Sequence, residues 1–140
     1  MKLPDPVPGL VIRYNYLWSD DKAKGLYEGG KDRPCVIVIA SKQTGAMTVV
    51  PVTHSHPAAG EEALSIDVPA GIARQIGLDE APNYIRLEVN RFEWPGDHLR
   101  RLPNDPSRVD YGMVPREFFE EIRKRLVELV RANVLRQSKR

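Results

Sequence analysis

The sequence predicts an α+β fold, mostly β: a small, partly closed barrel followed by one C-terminal amphipathic helix. Three observations carry this prediction. Short apolar, β-branched runs recur between turn residues up to about residue 102. A helical period of three and four runs from Phe118 to Val130, after Pro115. The 140 residues suit one domain, 1–140, with 41% hydrophobic and 29% charged residues, the balance of a soluble globular chain. The longest apolar stretch, 35–40, is strand length and far short of the ~20 residues of a bilayer helix. Residues 1–8 carry three prolines and one lysine and do not read as a signal peptide. Cys35 is the single cysteine, which excludes an intramolecular disulfide and a multi-cysteine zinc site. A cytoplasmic setting is expected.

Pro8-Gly9 opens a run in which Leu10, Ile12, Tyr14, Tyr16 and Trp18 alternate with Arg13 and Asn15, a strand with one buried face. Residues 19–32 are polar and hold Gly25, Gly29 and Gly30, which predicts a long loop, and loops of this length are often functional. The run 34–40 reads as a central strand buried on both faces. Gln43-Thr44-Gly45 turns the chain into a second strand, 46–53, giving a hairpin. Beyond a loop at 54–62, a short strand is expected at 64–68 and a short helix at 69–77, with Pro69 at its first turn and Gly77 ending it. A strand at 84–89, a turn at Pro95-Gly96 and a strand at 98–102 complete the β region. In the final helix Phe118, Phe119, Ile122, Leu126, Leu129 and Val130 form the inner stripe. From 116 to 140 eight cations face four carboxylates, a basic segment that reads first as a solvated face.

Antiparallel pairing of 34–40 with 46–53 brings the start of one strand beside the end of the other, so Arg33 and Thr53 meet at one end of the hairpin. Pro34 holds Arg33 extended, at the rim and facing solvent. Arginine stays charged and grips phosphate through a planar fork. The competing reading is a surface arginine paired with Asp32 or Glu28. Thr53-His54-Ser55-His56 adds two hydroxyls and two imidazoles, with His54 as a plausible acid or base. His54, His56 and His98 are weak evidence for a zinc site, and no metal or other cofactor is expected. Cys35, inside an apolar run, reads as a small core residue. Glu88-Val89-Asn90-Arg91 ends a strand and brings an amide and a cation to the same rim. Trp18, Trp94, Tyr14, Tyr16 and Phe92 suit either base stacking or the core, with the core favoured.

These pieces resemble, in order, the MazF/PemK family of bacterial toxins, the ribosome-independent endoribonucleases of toxin–antitoxin pairs. Five features carry the resemblance, from Gly9 to the terminal helix: the strand after Pro8-Gly9; Glu28 five residues before Arg33-Pro34; Val49-Val50-Pro51-Val52-Thr53 after the apolar strand 35–40; Asn90 where the family has glutamine; and Tyr111-Gly112-Met113-Val114-Pro115 leading into the helix. The sequence departs from the family pattern at Gly9-Leu10, at Val89-Asn90 and in His54-Ser55-His56 after Thr53.

The resemblance implies an SH3-like barrel of the MazF/PemK/CcdB type and a homodimer. It also implies metal-independent cleavage of single-stranded RNA by the substrate's own 2′-hydroxyl, giving a 2′,3′-cyclic phosphate and a 5′-hydroxyl. Arg33 would then serve the phosphate and leaving oxygen, and Thr53 a non-bridging oxygen. His54, His56 and Glu28, in that order, are candidates for the proton carrier. Glu28, Ser55, His56, Asn90 and Arg91 would contact the RNA, and a cognate antitoxin would silence the protein. Two other readings stand beside this one: a non-enzymatic toxin acting by protein contact, as CcdB-type gyrase poisons do, and an inactive interaction barrel.

Overall fold

The run from Pro34 to Ala40 is apolar on alternate sides, and the fold uses both. In a computed structural model describing residues 2–79 and 81–140, β2 (Arg33–Ala40) sends Cys35 and Ile37 to one face and Val36 and Val38 to the other. The strand β3 (Ala46–Thr53) divides Met47 and Val49 from Val50 and Val52 in the same way. They pair antiparallel, with Cys35 opposite Pro51 and Ile37 opposite Val49. At the turn, the Ser41 N–H donates to the Ala46 carbonyl at 2.9 Å, and Gly45 adopts φ +76°, where a side chain would be strained. A bulge after Ile37 leaves Ile39 opposite Thr48 and exposed.

Around this hairpin lie β1 (Leu10–Tyr14), β4 (Ser65–Asp67), β5 (Tyr84–Arg86), β6 (Val89–Glu93), β7 (Asp110–Met113) and β8 (Gln137–Lys139). The order is β4-β5-β3-β2-β1-β7, with β6 also beside β3 and β8 beside β6. Every pair is antiparallel except β6 with β8. The sheet curls without closing. The fold is α+β and mostly β, as the sequence predicts, with an open, barrel-like sheet.

Each face of the sheet carries its own core. On one, Val11, Val36, Val50 and Val52 pack with Ile85 and with the helices α2 (Ala70–Gln75) and α3 (Arg116–Arg131). On the other, Ile12, Tyr14, Tyr16, Cys35, Ile37, Met47, Val49 and Phe92 form a layer rich in aromatic rings. Phe118, Ile122 and Leu126, one helical turn apart, anchor α3 as expected. Val130, expected on the inner stripe, is 59% exposed because the helix ends one residue later, at Arg131.

Several boundaries differ from expectation. The first strand stops at Tyr14, because Tyr16 N–H turns back to the Tyr14 carbonyl. The loop 19–32 opens with a short helix, α1 (Ser19–Ala23). It is then pinned by Asn15, whose side-chain oxygen accepts from Gly29 N–H at 2.8 Å. A Cβ on Gly29 would lie 2.0 Å from the Tyr16 carbonyl oxygen, so only glycine allows this approach. The expected strand 64–68 is a 3₁₀ turn, Glu62–Leu64, followed by β4. The expected strand 84–89 is broken at Leu87-Glu88, which lets β5 pair with the end of β3 and β6 with its beginning. The expected strand 98–102 reduces to one bridge, Leu99 to Tyr14. Neither β7 nor β8 was evident from local pattern.

Arg140, just beyond β8, is clasped by the first half of the chain. Its guanidinium donates to the Asn15 and Tyr27 carbonyls and lies over the Tyr14 ring. It also donates to Nδ1 of the buried His98 at 2.9 Å, which requires a lone pair there and hence a neutral ring. Burial, then the Arg140 charge, hold the His98 pKa below its ordinary value. The proton therefore favours the unfolded chain. Stability from this contact should be complete above about pH 6.5 and decline as the pH falls below it. Urea unfolding across that range should show the decline, and a His98→Asn variant should not.

Candidate active site

The hairpin register decides what meets at its open end. The β2–β3 pairing ends at Cys35 opposite Pro51, and Arg33 and Thr53 each lie two residues beyond it, Arg33 beside Tyr14 of β1 and Thr53 beside Tyr84 of β5. Arg33, Thr53 and His54 line one open cleft of ≈ 700 Å³, walled by the segment after α2 and by the 102–108 segment. The two residues expected to meet at the hairpin end thus share one cleft, with His54 also in its lining.

The charges of the cleft are unevenly satisfied. Its carboxylates are engaged: Asp32 accepts from Asn15 Nδ2 at 3.1 Å, Asp79 bonds His54 at 2.9 Å, and Asp105 accepts from the Ser107 hydroxyl at 2.6 Å. Of the cations, Arg108 pairs with Asp110 at 3.0 Å. Arg13, Lys31, Arg33 and Arg74 form no ion pair with another described residue. The cleft therefore presents net positive charge, with its acids already occupied.

Arg33 is more enclosed than the sequence suggests. It was expected to face solvent at the rim, but it is half-buried, its Nε is buried with no hydrogen-bond partner, and its Cζ sits 5.0 Å from the centre of the Trp18 ring. Burial pushes the guanidinium pKa below its ordinary value, although arginine remains charged. The acids that might have neutralised it are taken by Arg100, at 3.6 Å from Glu28 and 3.4 Å from Asp32. Thr53 Oγ1 accepts from the Ser55 N–H at 3.2 Å, which leaves its own hydrogen to donate. His54 Nε2 lies 2.9 Å from Asp79 Oδ1, and both side chains are substantially exposed.

The remaining expected residues lie elsewhere. Ser55 and His56 are exposed on the loop after Thr53, outside the cleft lining; His56 Nδ1 bonds the Pro57 carbonyl at 2.9 Å. Glu28 faces His98 and Arg100. Asn90 is fully buried and its amide is consumed by Leu17 and Ser138. Arg91 lies by Gln137 of β8, in a separate apolar groove along α3. Among the described residues no group of three His, Cys, Asp or Glu is placed to hold a metal ion, and no helix is long and apolar enough to cross a membrane.

Arg13, Arg74 and Asp79 escaped the sequence reading. Arg13 carried a signal, a cation inside an apolar strand, and its register partner Pro34 adjoins Arg33. Asp79 carried none, since it lies 25 residues from His54.

No family model matches the chain, and no curated protein does either. Solved structures do match it. One is a chain of the crystal structure of MazE–MazF from Deinococcus radiodurans, at 18% identity, covering 89% of this chain and 95% of that one, with a TM-score of 0.56. The likeness is one of fold. It spans nearly the whole of both chains.

Cys35, in the aromatic-rich core layer, is buried, and burial drives its thiol pKa far above the usual range. Native protein should resist iodoacetamide at pH 8, with alkylation only after denaturation. Mass spectrometry on both samples checks this; rapid native labelling would mean that the β2 face opens.

Proposed function

We propose that the chain is the toxin of a toxin–antitoxin pair and cleaves single-stranded RNA in the cleft at the Arg33–Thr53 end of the hairpin, without a metal ion. One observation carries the reading. Arg33 is a half-buried cation with a buried, unpartnered Nε and no ion pair to another described residue. A partly desolvated charge with no counter-ion suits an anion supplied from outside, and a phosphodiester fits the guanidinium fork. The fold likeness to a chain of a MazE–MazF complex supports the toxin reading.

The chemistry is the one the resemblance to the MazF/PemK family implies. The substrate's 2′-hydroxyl attacks the adjacent phosphorus, the 5′-oxygen departs and takes a proton from water, and a 2′,3′-cyclic phosphate and a 5′-hydroxyl result. Arg33 stabilises charge on the phosphorane, and Thr53 donates to a non-bridging oxygen. His54, held by Asp79, takes the proton from the 2′-oxygen. Arg13, Lys31 and Arg74 hold flanking phosphates, while Ser55 and His56 contact a neighbouring nucleotide. The working unit is a two-fold homodimer, and an acidic segment of the cognate antitoxin occupies the same cation-lined cleft.

Replacing Arg33 or Thr53 with alanine should lower cleavage by roughly 10²-fold or more, the effect of removing one transition-state donor. Stability should barely move for Arg33→Ala. Loss of the Trp18 stack, about 0.5–2 kcal/mol, is offset by removal of a buried unpartnered donor, about 1–3 kcal/mol. Cleavage of single-stranded RNA, 5′-end sequencing and thermal melting on the three proteins test this. Normal cleavage by a folded Arg33→Ala protein overturns the assignment. A toxin acting by protein contact would show no cleavage by the wild type.

The assembly is tested separately. Light scattering at micromolar concentration should give twice the 15.8 kDa chain mass. EDTA should leave cleavage intact, and an acidic antitoxin peptide should compete with RNA. A complex that leaves RNA binding unchanged would move the antitoxin to another surface.

A further inference from the structure

The corner from Leu17 to Ser19 is held by side chains from the far half of the chain. Glu88 is buried, and no cation pairs with it among the described residues. Its carboxylate instead accepts from Tyr16 Oη at 2.9 Å, Ser19 N–H at 3.1 Å and the Ser19 hydroxyl at 3.2 Å. Asn90 grips the same corner in two directions. Its Oδ1 accepts from Leu17 N–H at 3.0 Å, and its Nδ2 donates to the Leu17 carbonyl at 2.8 Å. Burying a carboxylate and an amide is costly, and an apolar pair would fill the space more cheaply. What these polar groups add is direction, since they fix a backbone corner that packing alone would leave free to shift.

Between the anchored residues stands Trp18. Its ring meets Tyr16 edge-on at 5.1 Å, and Arg33 rests over it. A guanidinium laid on an aromatic face is held through its charge, without using its N–H groups. A carboxylate partner would hold Arg33 equally well but would compete with phosphate for those same donors. Trp18 therefore orients the cation and leaves its terminal N–H groups available.

We propose that Glu88 and Trp18 are positioning residues for Arg33: Glu88 fixes the Trp18 corner, and the indole face holds the guanidinium in its phosphate-binding pose. This rests on the RNA-cleaving reading above. Asn90, by the same argument, belongs to the corner and not to base recognition. The break at Leu87-Glu88 gains a purpose, since it turns Glu88 inward where a continuous strand would have run on.

The test is steady-state cleavage of single-stranded RNA by the full chain and by Trp18→Leu, Trp18→Phe, Glu88→Gln, Glu88→Ala and Leu129→Ala. Trp18→Leu and Glu88→Ala should lower kcat at least tenfold with KM within threefold. Trp18→Phe should restore kcat to within threefold of wild type, because it keeps an aromatic face, and Glu88→Gln should fall between. Leu129 packs partly buried against the helical core, so Leu129→Ala should lose melting temperature and keep kcat. If Glu88→Ala does not fold, the two Trp18 variants decide. A folded Trp18→Leu that cuts at the wild-type rate overturns the proposal, as does a Leu129→Ala whose kcat falls in step with its melting temperature. In either case the wild type still cuts, so the reading of the function survives. A wild type that does not cut RNA defeats that reading first, and this proposal with it.

Discussion

The pairing of β2 with β3 is the constraint on which the rest of the molecule depends. Both strands are apolar on both faces, so polarity does not police their register. A slip of one residue would exchange two buried sets without exposing either. The register must come from elsewhere: from the 41–46 turn, with Gly45 in a left-handed conformation, and from the unlike layers on either side. Cys35, Ile37 and Val49 fit among tyrosines, whereas Val36, Val50 and Val52 fit beneath helices. Once that choice is made, Arg33 has Tyr14 beside it and shares a cleft with Thr53.

The elements legible in the sequence are those whose cause is local. The bounds of β3 and the start of α3 follow from strand and helix periods and from their punctuation, and the hairpin brings Arg33 and Thr53 into the lining of one cleft. The elements that were not legible are caused from a distance. Tyr84 to Val89 has the composition of one strand, and it is divided because β3 offers two separate partners along its length. β8 exists because β6 has a free edge and because Arg140 finds Asn15, Tyr27 and His98. Asn90 illustrates the same limit at the candidate site: its position near a strand end suggested a rim residue, but its partners Leu17 and Ser138 bury it.

Charge is distributed so that the acids nearest the cleft are spent within the fold. Arg100 engages both Glu28 and Asp32, and Asp79 engages His54. Such an arrangement leaves the folded protein with an unmet demand for an anion, which exposed ion pairs of little individual strength can create collectively.

The separation in sequence between the parts of the Arg33 site has a consequence for how the protein comes into being. Arg33 and Thr53 sit at the two ends of one hairpin, whose short loop closes with little entropic cost. The Trp18 corner must wait for partners 69 to 73 residues further on, and β1 gains its second neighbour only when β7 has been made. Contacts of such long range form late and slowly. On the ribosome, the hairpin can assemble while the corner beneath Arg33 is still loose. A nascent chain would carry the cation long before it carried the support for it, so that the Arg33 site would take its final form only as the last strands arrive.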